Sequence, residues 1–144
     1  MSASTVLKTL TDTAFDSVEG YRKAAEKATN PQLKQALMQR AEKRQQTVAT
    51  LNAEVERQGG EMVTKGTMTG ELHQMWLSIT DAFENSDEAA AERVEEGEDY
   101  LKGKFDAALK DDDLDPQSRA VIQQVYAEIC EGEQFGNSIE KQYD

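Results

Sequence analysis

Leu33-x-x-x-Leu37-x-x-x-Ala41-x-x-Arg44-x-x-x-Val48-x-x-Leu51-x-x-x-Val55 is the stretch on which the fold turns. Steps of three and four residues put all of these positions on one stripe of a long helix, the stripe that faces a core. All are apolar except Arg44, which lies midway. An interior charge is tolerated only with a partner, because removing a guanidinium from water is costly unless a carboxylate and hydrogen bonds replace the water.

Working outward, the only two prolines follow residues that cap helices: Asn30-Pro31 and Asp115-Pro116. Proline suits the first helical position, where its missing N–H has no intrahelical acceptor anyway, and Asn or Asp before it accepts a bond from the first turn. A third start is expected at Asn85-Ser86-Asp87-Glu88, with Asn85 and Glu88 in capping-box spacing and acids in the first turn. Gly59-Gly60 marks a stop. These signals predict helices over about 4–29, 31–58, 87–110 and 116–142, with a connection over 59–86 that carries its own short helix at about 69–84.

The first and last joints are tight, so each flanking pair forms an antiparallel hairpin. Two hairpins joined by a connection long enough to run the length of a bundle give an all-α, ferritin-like four-helix arrangement with one crossover. No strand-period segment or hairpin dipeptide competes with it. The remaining core stripes read Leu7, Leu10, Ala14, Val18, Tyr21, Ala25, Ala28; then Ala91, Val94, Glu98, Leu101, Phe105, Ala108; then Ile122, Val125, Ile129, Gly132, Ile139. Glu98 stands halfway along its stripe, so it is the expected partner of Arg44, with Glu95 or Asp99 as substitutes. Ala14, Ser17 and Gly132 fall near the same level, and their small size leaves room for two long side chains. The alternative is that the stems snorkel out from the stripe's edge.

The 144 residues are enough for a single domain with its own core. One cysteine, Cys130, excludes an internal disulfide, and with no basic-apolar leader visible the expectation is a cytoplasmic protein. No apolar run reaches the roughly 18 residues of a bilayer span, so no membrane role is expected. A net charge of −12 repels phosphate backbones, which argues against nucleic acid as a direct partner.

Val18-Glu19-Gly20-Tyr21-Arg22-Lys23-Ala24-Ala25-Glu26, the run from Ala41 to Leu51, Gly59-Gly60, the Trp76 helix and Glu96-Gly97-Glu98-Asp99 together resemble a bacterial ferritin-like four-helix-bundle family of unassigned function. The resemblance implies the fold; its only functional pointer is toward stress response. Rubrerythrin, a di-iron member of the wider group, is distantly similar. On its pattern, Arg44 stands where a bridging glutamate would be and Thr47 where a histidine would be, while Gly97-Glu98-x-x-Leu101 keeps one acid and loses the other. Ile129 and Gly132 take the place of a Glu-x-x-His pair. Such a site needs a Glu from each of two helices and Glu-x-x-His from each of the others, and the one histidine here, His73, lies in the crossover. The expectation is therefore a bundle without metal or other cofactor.

Other candidates carry less chemistry. Glu42-x-x-Gln45 and Glu131-x-x-Gln134 sit off the seam, and the acids Glu92, Glu95, Glu96, Glu98 and Asp99 lie on a helix that cannot wrap an ion. The acidic turn 110–115 lacks calcium-loop spacing, and Cys130 has no activating neighbour in sequence. Met68, Leu72, Met75, Trp76, Ile79 and Phe83 form an apolar face that either covers the bundle's flank or meets a second copy or another protein. Two functional readings follow: a non-enzymatic structural or interaction protein, and a divergent di-metal carboxylate oxidase or peroxidase built from Glu19, Glu42, Glu98 and Glu131.

Overall fold

A computed structural model describes residues 3–64, 74, 76, 78 and 86–143. Four long helices carry the chain: α1 (Ala3–Lys27), α2 (Pro31–Arg57), α3 (Asp87–Leu109) and α4 (Pro116–Gln142). No strand occurs among the described residues. α1 ends two residues before the expected limit, leaving 28–30 as the joint into α2.

The helix ends form where the local chemistry favours them. Asn30 Oδ1 accepts from the amides of Gln32 at 2.8 Å and Leu33 at 3.2 Å, and Asp115 Oδ1 accepts from Ser118 at 2.6 Å. At the third start Ser86 caps α3, its hydroxyl accepting from Ala89 N at 3.0 Å, while Asn85 lies outside the described residues. At the end of α2, Gly59 adopts φ +82°, and the amides of Gly59 and Gly60 return to the carbonyls of Glu56 and Val55. That is the paired closure for which a left-handed residue is needed.

Every residue of the four expected core stripes is buried. The helices pack in a ring in which α1 touches α2 and α3, and α4 touches α2 and α3. Polar contacts fix which ends meet. Asp87 accepts from Thr29 Oγ1 at 2.9 Å and from Asn30 N at 3.1 Å, holding the start of α3 to the α1–α2 joint. At the other end, Ser118 Oγ donates to Glu54 Oε2 at 2.8 Å and Gln58 reaches both Asp115 and Ser118, holding the start of α4 to the end of α2.

Beyond α2, the buried Asn52 side chain exchanges two bonds with the backbone of Val63, at 2.8 and 2.9 Å. Gln74, Trp76 and Ser78 are helical; the rest of the expected crossover helix, with Met68, Leu72, Met75, Ile79 and Phe83, lies outside the described residues.

Two carboxyls give opposite pH dependences. Bonds from Arg57 lower the pKa of Glu54 below its usual 4.5; burial opposes them and the Ser118 bond adds to them. A depressed acid stabilises the fold above pH 4.5 and loses that contribution as pH falls through its folded value. Glu95 is the reverse. Burial first, then the charges of Glu140, Asp99, Glu96 and Glu133, raise it above 4.5, so its contribution is best below that pH and is lost as pH rises through the raised value. Urea melts at neutral pH and at about pH 3 should therefore show Glu54→Gln flattening the loss on acidification. Glu95→Gln should be more stable than the parent at neutral pH; no gain there would contradict the acidic strain assigned to it.

Candidate functional site

Halfway along α2, the guanidinium of Arg44 is completely buried, and so is the carboxylate of Glu98 on α3. Two parallel bonds join them, Nη1 to Oε1 at 2.9 Å and Nη2 to Oε2 at 2.8 Å. This is the fork-on-fork geometry that a lysine could not supply. Nη1 also donates to Ser17 Oγ of α1 at 2.8 Å, and that hydroxyl passes its own proton to the Ala14 carbonyl at 2.7 Å. Nε donates to Glu128 Oε1 of α4 at 2.7 Å. A single side chain thus bonds to groups on all three other helices.

Glu128 is the member that inspection of the stripes misses. Its side chain is 15% exposed, and Oε1 takes a second bond from Thr47 Oγ1 at 2.7 Å. Oε2 is held by Arg40, whose Nη2 also donates to the Glu128 carbonyl at 3.1 Å. Two guanidinium groups and two carboxylates make the cluster neutral. Glu131 and Lys43 extend it to the rim, with Arg40 to Glu131 at 3.6 Å and Lys43 to Glu131 at 3.8 Å. The missed signal was spacing: Glu128 lies three residues after Val125 and four before Gly132, while Arg40 lies four before Arg44.

Space for the pair comes from absent side chains. A methyl group built on Gly132 would overlap Glu98 Oε2 and Arg44 Nη2 and stand 2.9 Å from Glu98 Cδ. Ala14 is fully buried beside Ser17 on α1. Burial alone would weaken Arg44's hold on its proton, but the charges of Glu98 and Glu128 outweigh it and leave the pKa above its ordinary value. Arg44 is a permanent cation. Tyr21 lies with its ring 5.9 Å from Arg44 Cζ. Burial, followed by the nearby negative charge of Glu98, pushes the phenol well above its usual 10, and Tyr21 Oη lies near that carboxylate without a hydrogen bond of full geometry.

Tyr21 leads to the opposite face. Trp76 packs on it with ring centroids 5.1 Å apart and fills a slot whose walls are Gly20 of α1 and Gly97 of α3. A Cβ on Gly20 would come within 2.7 Å of the indole, and one on Gly97 within 3.0 Å. The indole, 1% exposed, is thus part of the core. Of the apolar face read from the sequence, Trp76 is taken up inside the bundle.

The weaker metal candidates are not brought together. Glu42 and Glu131 are exposed, Glu19 is half-buried, and both oxygens of Glu98 are engaged by Arg44. Among the described residues no three His, Cys, Asp or Glu side chains form a ligand set. Among the described residues, a fixed cation, Arg44, occupies the carboxylate of Glu98 at the centre. Glu95 is half-buried and Asp99 exposed, so neither replaces Glu98 as partner. No described helix is long and apolar enough to cross a membrane.

Between α2 and α4 a cleft of about 370 Å³ has Thr47 and Glu128 among its walls, with Lys43 and Glu131 also lining it. Glu128 thus stands between solvent and the buried pair.

A family model described as a domain of unknown function (DUF2383) matches residues 2–111. That span contains Arg44 and Glu98 and stops before α4, which carries Glu128 and Gly132. No curated protein and no solved structure matches the chain.

Leaving Glu98 buried while replacing Arg44 with Met should cost about 3–5 kcal/mol, since a stranded interior carboxylate remains. Adding Glu98→Leu should recover much of that, because Glu128 keeps Arg40 and Thr47. Gly132→Ala should cost about 3 kcal/mol, the upper part of the range for an overpacked core. Denaturant midpoints test all three; an Arg44→Met variant as stable as the parent would show that the pair is not what holds the centre.

Proposed function

Because the chain belongs to the family described as a domain of unknown function (DUF2383), no activity comes with its membership, and we propose from its own side chains that it is a non-catalytic ferritin-like bundle. In this reading it acts as a structural or interaction protein, with a charge network where related bundles hold metal. The observation that carries the proposal is Arg44 itself: a permanent cation, bonded to Glu98, Glu128 and Ser17, at the level where a di-metal bundle would concentrate carboxylates. Thr47 strengthens it. On the rubrerythrin pattern this position would hold a ligating histidine, and here its hydroxyl is committed to Glu128.

The ferritin-like topology is supported by the chain ends. α2 and α3 start at the same end of the bundle and α4 at the other, so the 59–85 segment has to return over the length of α3, roughly 35 Å at 1.5 Å per residue. It has ample chain for that, since even a helical path of this many residues covers about 40 Å. These ends support a reading of up-down-down-up order with one long crossover. The partner in this reading is another protein or a second copy, and a stress-related role rests on the resemblance alone.

Elemental analysis of protein purified without chelator, before and after anaerobic Fe(II) loading, tests the proposal. The expected result is substoichiometric iron and manganese after desalting. Stoichiometric iron that survives desalting, joined to oxygen- or peroxide-dependent turnover, would replace this reading with the di-metal oxidase.

A further inference from the structure

The α2–α4 cleft and the Trp76 slot lie on opposite seams of the helix ring. A continuous set of contacts joins them. Glu128, at the cleft, bonds Arg44 Nε at 2.7 Å; the same guanidinium bonds Glu98 and sits 5.9 Å from the Tyr21 ring; Tyr21 packs on Trp76 at 5.1 Å. A second route runs through α3, where Glu98 follows Gly97, one wall of the Trp76 slot. We propose that these contacts make the bundle a relay, in which a change at the Glu128 carboxylate repositions Trp76 in the slot on the far side.

Three features give the relay its physical basis. First, the guanidinium is held from two edges, Nε by Glu128 and the Nη fork by Glu98, so loss of one anchor frees the plane to rotate about the other. The volume that a side chain at Gly132 would take is filled by the fork itself, so a guanidinium that turns there displaces its Glu98 partner on α3 as well. Second, Tyr21 Oη lies near Glu98 without a hydrogen bond of full geometry, so its position is set by that carboxylate and by packing against Arg44, Trp76 and Phe135. Close-packed interiors transmit such displacements because there is no free volume to absorb them. Third, Trp76 Nε1 is also buried without a described partner. Among the described residues the indole is seated by its glycine slot and by Tyr21, and a small movement of Tyr21 or of α3 at Gly97 changes that seat.

Glu128 is the place where an outside event can enter. Among the described residues it is the only carboxylate bonded to Arg44 that retains any exposure, and the cleft brings solvent and solutes to it. A relay of this kind is reciprocal, so the docking state of Trp76 biases the Glu128 side by the same free energy. The inference goes beyond the proposed function and stands whether or not the bundle proves catalytic.

Trp76 is the sole tryptophan, so its emission reports on the slot without labelling. The test compares emission maximum and acrylamide quenching in the full chain for the parent, Glu128→Gln and Glu42→Gln, an exposed acid of α2 outside the cluster, with far-UV circular dichroism to show that each is folded. The expected result is a shift to longer wavelength and stronger quenching in Glu128→Gln, with Glu42→Gln like the parent. A folded Glu128→Gln variant with the parent's emission and quenching would overturn the proposal, as would an equal shift in Glu42→Gln. Should Glu128→Gln fail to fold, Thr47→Val carries the test. It removes only the hydroxyl bond to Glu128 Oε1 and should shift the emission in the same direction; parent-like emission in that variant would overturn the relay.

Discussion

A guanidinium sealed in the middle of a four-helix bundle sets the terms for everything around it. Its charge cannot be left unpaired, so α3 must present Glu98, α4 must present Glu128, and α1 must offer a hydroxyl, Ser17, at the same height. Its bulk cannot be accommodated against an ordinary wall, so α4 has glycine at 132. A hydrophobic residue of similar volume could supply as much stability as the pair, since desolvation consumes most of the Coulombic attraction. What the pair supplies in addition is register. Each helix has one height at which its group meets Arg44, and sliding any of them by a turn would strand a buried charge.

The same logic appears in how charge is divided between the two hairpins. Residues 3–57 carry nine Lys and Arg against seven Asp and Glu, whereas residues 87–142 carry six against sixteen. Among the described residues, ion pairs that cross between the hairpins join Arg40, Lys43, Arg44 and Arg57 of the first to Glu98, Glu128, Glu131 and Asp115 of the second. Two copies of the acidic hairpin would repel one another, so the sequence disfavours pairing of like halves while it favours the native match. Most of these pairs are partly exposed and contribute little individually. Arg44 with Glu98 is different, because neither has water as an alternative partner.

The two inter-hairpin seams are built from opposite materials. Where α2 meets α4, charges and hydroxyls dominate; where α1 meets α3, two glycines bring the backbones' surfaces low enough for an indole to lie between them. Arg44 and Tyr21 connect the two. A polar centre flanked on one side by a wet cleft and on the other by a dry aromatic plug has an outside face and a sealed face, a geometry that an all-apolar core would lack.

Helix limits, core stripes, the burial of Arg44, its pairing with Glu98 and the need for a small residue at 132 were all legible in the sequence, because each depends on local chemistry or on a 3.6-residue period. Capping at Asn30 and Asp115 follows from their own side chains and the prolines behind them. The cap at Ser86 does not, since its neighbours can cap as well, and the start of α3 is also tied by Asp87 to Thr29 and Asn30 of the other hairpin. Glu128 and Arg40 sit at the edges of their stripes, where periodicity is silent about whether a long side chain turns inward or out to water. Only the packing of α2 against α4, which brings Arg44 Nε and Thr47 within reach, decided that. The Trp76 slot is likewise a tertiary product: Gly20 and Gly97 are far apart in the chain, and neither says what will lie between them until the helices that carry them are side by side.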